Sequence, residues 1–173
     1  MPSKYWNPET GEEETVQRKS RRPKKTALVA AVDILARQEQ SEKKLREKLG
    51  RKEYSDEEID AAIARLKEKH YLNDADACAR QFEFLYNESR SSVRQICLKL
   101  MQRGFPRDLV QSCVPRDTYE REKAAALRVL EIQYKPDKDP KKLLASLYRK
   151  GFDSSAIRAA VEEYTSGTEQ DME

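Results

Sequence analysis

The sequence predicts an all-α protein in which three tandem three-helix repeats form an elongated, curved array. The composition favours helices with a heavily charged surface, because 38% of the residues are charged and 34 basic residues nearly balance 31 acidic ones. The mean hydropathy is low, at −0.94. The apolar residues nevertheless recur at helical spacing, and no sustained alternation of apolar and polar residues indicates a strand.

Three aromatic residues anchor an internal repeat. Tyr54, Phe105 and Phe152 lie 51 and then 47 residues apart. Apolar residues precede each aromatic by nine and five positions and follow it by five and nine, a small residue follows it by eight, and a base precedes it by two. The matching sets are Leu45/Ile96/Leu143, Leu49/Leu100/Leu147, Ile59/Val110/Ile157, Ile63/Val114/Val161, Ala62/Cys113/Ala160 and Lys52/Arg103/Lys150. This agreement indicates one structural unit used three times.

Each copy predicts the second and third helices of a unit. The two apolar residues that precede each aromatic are four positions apart, which places them on one face of a helix. Gly104 and Gly151 stand where a glycine commonly ends a helix. The next helix then begins after the aromatic, with a capping box at Ser55, a proline at Pro106 and a capping carboxylate at Asp153.

A first helix precedes each pair, and its apolar residues are spaced three or four apart. These residues are Leu28/Val32/Leu35, Cys78/Phe82/Leu85 and Ala124/Leu127/Leu130/Tyr134. We therefore divide the chain into repeat 1 at residues 27–73, repeat 2 at 74–116 and repeat 3 at 117–166. Units of this size bury their remaining apolar surface by stacking against their neighbours.

The two ends of the chain are expected to lie outside the array. Residues 1–26 are interpreted as a flexible, charged N-terminal arm, because six bases between Arg18 and Lys25 are interrupted by no acid. A sharper hypothesis is that this arm touches phosphates when a nucleic acid is near. Residues 167–173 are expected to form a short acidic C-terminal tail.

The sequence argues against membrane and secreted classes. Its longest apolar run, residues 27–32, is six residues long, whereas a membrane helix needs about 20. The residues that follow Met1 lack the apolar core of a signal peptide. The three cysteines, Cys78, Cys97 and Cys113, form no Cys-x-x-Cys pair. We expect a cytoplasmic protein, with no membrane segment and no disulfide scaffold.

The motifs of common enzyme classes are absent from the sequence. The chain has one histidine, His70, no phosphate-binding glycine loop and no close cysteine pair to complete a zinc site. Cys113 stands at a repeat position that is otherwise alanine, which favours a packing role over a nucleophilic one. We predict that the protein is not an enzyme and holds no cofactor or metal.

The distribution of basic residues points to binding instead. Lys52, Arg103 and Lys150, here called the basic row, recur at one position of the repeat, and residues 75–116 carry seven bases against four acids. For any one base, a solvated helix end is the simpler interpretation, since a cation there also favours the helix dipole. As a set they predict contacts with phosphates or an acidic partner. The candidate contact residues are Lys52, Arg90, Arg94, Arg103, Arg149 and Lys150.

The ordered set of motifs resembles the RecX family of regulatory proteins. The resemblance covers about residues 27–165. It is carried by the stretch from Ala31 to Arg37, by Tyr71-Leu72-Asn73-Asp74 at the first junction, by Arg103-Gly104-Phe105 and by Arg149-Lys150-Gly151-Phe152. The chain departs from the family in having no glycine near Ser91 and Ser92, and its first 26 residues have no counterpart.

The resemblance implies tandem three-helix repeats and a non-enzymatic function. RecX-like proteins bind the RecA recombinase filament on single-stranded DNA, bridge neighbouring RecA protomers, and lower ATP hydrolysis and strand exchange. We accordingly expect a monomer whose partner is that filament. Two other hypotheses stay open: a helical-repeat protein that binds DNA directly, and a helical-repeat adaptor for another protein.

Overall fold

The computed structural model describes the backbone of residues 3–7, 12–16, 25–134 and 139–170, and the side chains of 25–134 and 139–166. Within these ranges the array consists of nine helices in three groups of three, which confirms the all-α prediction. Repeat 1 contains α1 (Ala27–Arg37), α2 (Glu42–Gly50) and α3 (Asp56–Glu68). Repeat 2 contains α4 (Asp74–Glu88), α5 (Val93–Gln102) and α6 (Arg107–Ser112), and repeat 3 contains α7 (Tyr119–Gln133), α8 (Pro140–Arg149) and α9 (Ser154–Gln170).

A short hairpin precedes the array. Strands β1 (Ser3–Asn7) and β2 (Glu12–Val16) pair antiparallel, with Tyr5 opposite Glu14. The sequence did not predict these strands within residues 1–26, because neither segment alternates apolar and polar residues. The other residues before Lys25 lie outside the described ranges.

The first residues of the predicted C-terminal tail belong to helix α9. Helix α9 continues to Gln170, four residues beyond the boundary expected at 166. Residues 171–173 lie outside the described ranges. No helix in the part of the chain that the structure describes is both long and apolar enough to cross a bilayer.

Each repeat has its own core, and the predicted apolar positions of the second helices form the centre of it. Leu45, Leu49, Leu100, Leu143 and Leu147 have no solvent-accessible surface. The reference aromatics Phe105 and Phe152 are buried beside them. Tyr54 is only half-buried, and its hydroxyl donates to the Lys25 carbonyl oxygen at 2.6 Å.

The buried face predicted for α1 is wrong at two of its three residues, whereas Leu35 packs against the core as predicted. Leu28 and Val32 are 37% and 45% exposed, whereas Ala27, Ala30 and Ala31 are buried. Small residues occupy the inner face because the first helix of the repeat lies close to the others, and a leucine stripe at that distance would overfill the core. Ala124 of α7 is likewise exposed, while its neighbours Ala125 and Ala126 are buried.

The buried residues supply a better alignment of the first helices. Shifts of 47 and then 48 residues superimpose Ala30/Ala77/Ala125, Ala31/Cys78/Ala126 and Leu35/Phe82/Leu130. The second helices keep the predicted shifts of 51 and 47 residues. These two alignments define which residues are structurally equivalent at the junction of repeats 1 and 2 (junction 1) and the junction of repeats 2 and 3 (junction 2).

A serine hydroxyl joins each repeat to the next. Ser41 and Ser92 cap the N-termini of α2 and α5, where each hydroxyl accepts a backbone N–H. The same hydroxyls donate across the junctions to the carbonyl oxygens of Arg103 and Lys150, both at 2.7 Å. Both serines are almost fully buried, so every hydrogen bond they make is shielded from water.

A carboxylate from the following repeat reinforces each joint. Asp74 Oδ1 accepts the N–H of Glu42 at 2.8 Å across junction 1. The equivalent Glu122 accepts the N–H of Val93 at 2.5 Å across junction 2, and its other oxygen accepts the N–H of Asp153 at 2.9 Å. Each carboxylate therefore lies at the positive end of a helix in the preceding repeat.

Glycine is required where one repeat approaches the next. Gly104 and Gly151 have φ values of +93° and +77°, and a Cβ atom built on Gly104 would lie 2.6 Å from Ser41 Oγ. Glu53 occupies the equivalent left-handed position in repeat 1 with φ of +61°. A side chain is tolerated there because no described repeat precedes repeat 1.

We predict that Gly104→Ala lowers the free energy of unfolding by about 2–3 kcal/mol, because it combines an unfavourable φ with a close contact at junction 1. The matched control is Gly50→Ala at the end of α2, where no atom lies within 4 Å of the added Cβ. Urea unfolding of both variants measures the difference. Equal effects from the two substitutions would contradict the proposed role of the junction.

Truncation of the reference aromatics tests the repeat cores. Phe105→Ala and Phe152→Ala should each cost about 3–5 kcal/mol of stability, because both rings are buried in their cores. The same unfolding measurement applies. A loss below about 1 kcal/mol would mean that the rings do not support the cores.

Candidate binding surface

The three bases of the basic row occupy equivalent backbone positions but differ in their surroundings. Each one directly precedes the left-handed residue that ends its second helix. Lys52 is exposed and lines a cleft of about 420 Å³ against α1, together with Asp33 and Arg37. Arg103 is half-buried, and its Nη1 donates to Gln81 Oε1 at 2.7 Å. Lys52 and Arg103 therefore have different electrostatic surroundings.

Lys150 lies in a cleft that also contains Arg90. This cleft has a volume of about 600 Å³ and runs between the α4–α5 loop, α7 and the end of α8. Arg128 of α7 lines it as well. We call this space the cation cleft, after the three bases that line it, Arg90, Arg128 and Lys150. The structure thus brings together two of the predicted contact residues and adds a third that the sequence did not predict.

Arg94 and Arg149 lie outside the cation cleft. The aliphatic part of Arg94 packs beside Gly151, where an added Cβ would come within 3.0 Å of its Cδ. Its neighbours include Leu98 and Met101 in a separate groove. Arg149 is exposed in the last turn of α8, next in sequence to Lys150. These two arginines flank the cleft along the chain without lining it.

Junction 1 has the same architecture with a different charge pattern. The positions of Arg90, Arg128 and Lys150 are held there by Glu39, Arg80 and Arg103, and Val129 of junction 2 is replaced by Gln81. Arg80 forms a close ion pair with Glu39 across the junction. Arg103 is held by Gln81. Both cations at junction 1 therefore have a partner within the protein.

Junction 2 lacks both of these partners. An arginine, Arg90, replaces the acid, and Val129 replaces the glutamine. Among residues 25–134 and 139–166, the side chains of Arg90, Arg128 and Lys150 form no hydrogen bond and no ion pair. Three cations consequently line one cleft, with Glu88 as the acid that shares its lining. Clefts lined by one sign of charge concentrate the field and attract the opposite charge.

Hydrogen bonds from Arg121 support the α4–α5 loop, which carries Arg90 of the cation cleft. Arg121 donates to the carbonyl oxygens of Tyr86 and Ser89 at 2.9 and 3.0 Å, which caps the end of α4, and its guanidinium lies 4.9 Å from the centre of the Tyr86 ring. Burial lowers the pKa of Arg121, an effect that Glu122 opposes and Arg128 increases. The site is therefore held in place by hydrogen bonds that do not use the cleft residues themselves.

The sequence contained a signal for Arg128 that the first-helix alignment obscured. Residues 79–86 and 127–134 share Arg, Glu and Tyr at matching positions when the shift is 48. The apolar patterns of the sequence analysis, which include Leu85 in repeat 2 and Leu130 in repeat 3, did not reveal the match between Arg80 and Arg128. Arg121 and Glu122 gave no such signal, because charged residues are normally exposed.

The described residues contain no group of three or more His, Cys, Asp and Glu side chains that could hold a metal ion. His70 ends α3 with φ of +57°, and the following N–H groups of Tyr71 and Leu72 return to the Leu66 carbonyl oxygen.

Comparison with known proteins identifies the family. The sequence model described as "RecX, first three-helix domain" matches residues 27–66. The regulatory protein RecX of Chlorobaculum tepidum is 31% identical over 143 residues, which cover 80% of this chain and 88% of that protein. The chain belongs to the RecX family of regulatory proteins. RecX of Caldanaerobacter subterraneus is 30% identical over 79% of this chain and 70% of its own length.

Solved RecX structures have the same fold. The crystal structure of RecX from Lactobacillus salivarius aligns with a TM-score of 0.67 over 80% of this chain and 94% of that one, at 21% identity. A second RecX crystal structure aligns with a TM-score of 0.66 over 79% of this chain. The helical repeat array inferred from the sequence is thus shared with other RecX proteins.

Glu122 offers a test of how the site is supported. Glu122→Ala should cost about 2–4 kcal/mol of stability, because it leaves two N–H groups without their acceptor and removes the charge partner of Arg121. Glu120→Ala, an exposed position two residues away, should change stability by less than about 0.5 kcal/mol. Thermal unfolding measures both. Similar results for the two variants would contradict the assigned role of Glu122.

Proposed function

We propose that this RecX-family protein binds the RecA recombinase filament on single-stranded DNA and lowers its ATP hydrolysis and strand exchange. The family supports a regulatory role, since the relatives are named regulatory proteins. We propose further that the protein does this as a monomer in the cytoplasm, by binding alone, without a cofactor or any catalysis of its own.

The proposal rests on a difference between the two junctions: junction 2 has no equivalent of the Glu39 carboxylate and the Gln81 amide, which pair with cations at junction 1. Like charges that line one cleft repel each other, and Arg90 and Arg128 are exposed while Lys150 is half-buried, so an acidic partner has access to all three. Junction 1 shows that the same architecture accommodates a pairing acid and a glutamine. Junction 2 lacks both groups, so its cations are suited to bind a partner that supplies negative charge.

A RecA filament on DNA offers such a partner. The DNA carries phosphates at regular intervals, and charge complementarity gives both a faster encounter and a defined register. We propose that Arg90, Arg128 and Lys150 make the principal charged contacts. Arg94 and Arg149 extend this surface, while Arg103 at junction 1 and Lys52 in the cleft within repeat 1 contribute less.

A second candidate function, direct binding to DNA, is favoured by the same three cations. Proteins that bind nucleic acid alone usually show a more basic overall balance than the pI of about 8.7 found for this chain. The two functions differ in whether RecA is needed for tight binding. An adaptor for another protein would require neither RecA nor DNA.

The test is a charge reversal at the cation cleft. The triple variant Arg90→Glu, Arg128→Glu, Lys150→Glu should lose inhibition of the RecA ATPase on single-stranded DNA, because the contacts to the filament become repulsive. Inhibition by the unmodified protein should weaken as salt is added. Helicity and thermal stability should change little, since none of the three side chains is paired among the described residues.

The matched control reverses Lys43, Lys141 and Arg158, which are exposed elsewhere on the array. Both triples change the net charge by the same amount. If the control is as damaging as the cleft variant, net charge alone explains the inhibition and the cation cleft is not the contact. Equal affinity for single-stranded DNA with and without RecA would instead favour direct DNA binding.

A further inference from the structure

Repeat 2 contains a pair of cysteines that face each other across its core. Cys78 lies in α4, Cys113 follows the end of α6, and their sulfur atoms are 3.9 Å apart. Sulfur atoms at this distance are in van der Waals contact. Cys113 Sγ also lies 3.4 Å from the Leu109 carbonyl oxygen, which helps to hold it in this position.

The other two repeats have alanine at both positions. Ala31 and Ala126 are equivalent to Cys78, and Ala62 and Ala160 are equivalent to Cys113. All four alanines are buried. The repeat therefore folds with small apolar residues at both places, and packing alone does not require a sulfur atom at either.

The two thiols differ in their access to solvent. Cys78 has no solvent-accessible surface. Cys113 is partly exposed and lines an open groove of about 410 Å³, together with Phe82, Tyr86 and Leu109. This groove exists because α6 ends at Ser112 after only 6 residues, whereas α3 has 13 and α9 has 17. A small solute can reach Cys113 through it, while Cys78 lies behind.

We propose that Cys78 and Cys113 form an oxidisable site that a small peroxide converts into an intramolecular disulfide. Cys113 reacts first: its thiolate attacks one peroxide oxygen, the O–O bond breaks, and the other oxygen leaves as hydroxide, which takes up the proton that the Cys113 thiol released. The product at Cys113 is a sulfenic acid. The sulfur of Cys78 then attacks that of Cys113, the S–O bond breaks, and the departing hydroxide takes the Cys78 proton. Two thiols and one hydrogen peroxide thus give one disulfide and two waters.

The division of roles follows from burial. Burial, with a smaller effect from Cys113, raises the pKa of the Cys78 thiol to about 12. Cys78 therefore stays protonated and unreactive toward peroxide from solution. Cys78 reacts only after a sulfenic acid has formed on the adjacent sulfur of Cys113. The short distance between the two sulfur atoms then compensates for the low nucleophilicity of the protonated thiol. Cys97 is buried in α5, and burial also raises its pKa, so we expect it to react with peroxide more slowly than the partly exposed Cys113.

The backbone can accommodate the shorter sulfur–sulfur distance. A disulfide needs about 2.05 Å between the sulfur atoms. Cys113 is the C-cap of α6 and is followed by a turn rather than by another helical turn. We expect the end of α6 to move so that this gap closes, while α4, whose Asp74 supports junction 1, stays in place.

The experiment exposes the reduced full-length protein to dilute hydrogen peroxide, then counts free thiols after denaturation and maps cross-linked peptides. We expect a loss of two of the three thiols, a peptide pair joined through Cys78 and Cys113, and full reversal by dithiothreitol. Cys97→Ala should behave like the unmodified protein, with loss of both remaining thiols. Cys78→Ala should accumulate a dimedone-reactive sulfenic acid on Cys113.

Cys113→Ala should retain its two thiols under the same treatment. Alanine is the residue that the other repeats use at both positions, and circular dichroism checks that each variant is folded. The proposal is overturned if Cys113→Ala loses thiols as fast as the unmodified protein. A linkage that involves Cys97, a disulfide between two chains, or an unchanged thiol count in the unmodified protein would overturn it as well.

Discussion

The array depends on a buried serine hydroxyl at each junction, which forms hydrogen bonds with two helices at once. Ser41 and Ser92 each cap their own helix and donate to a carbonyl oxygen of the next repeat, at 2.7 Å in both cases. Because the hydroxyl is short, the two repeats must approach closely, which excludes a Cβ atom at Gly104 and constrains Gly151. The same approach places the first helix of the following repeat against the preceding loop, and this contact creates the clefts at the junctions.

Much of the fold could be predicted from the sequence, because the second and third helices of each repeat carry a strong periodic signal. Leu45, Leu49 and their equivalents are buried as their spacing indicates. The first helices were harder to place, since alanines face their core and alanine contributes little to an apolar pattern. The serine joints gave no signal, because Ser41 and Ser92 also satisfy the ordinary pattern of a helix N-cap.

The binding surface was predictable only in part, for a similar reason. Arg90 and Lys150 were candidates from the sequence, but their proximity depends on how repeats 2 and 3 stack. Arg128 and the missing partners at junction 2 become visible only when junction 1 is compared position by position. The difference between Glu39 and Arg90 distinguishes two otherwise equivalent clefts, so repetition in the fold allows specialisation at one site.

Hydrogen–deuterium exchange of the protein, free and bound to RecA on single-stranded DNA, tests the central claim most directly. We expect the bound protein to gain protection in residues 88–91 and at the end of α7, which together line the cation cleft. The equivalent residues of junction 1, 37–40 and the end of α4, should gain less. Equal protection at both junctions, or protection confined to junction 1, would contradict the assignment of the cation cleft as the contact with the filament.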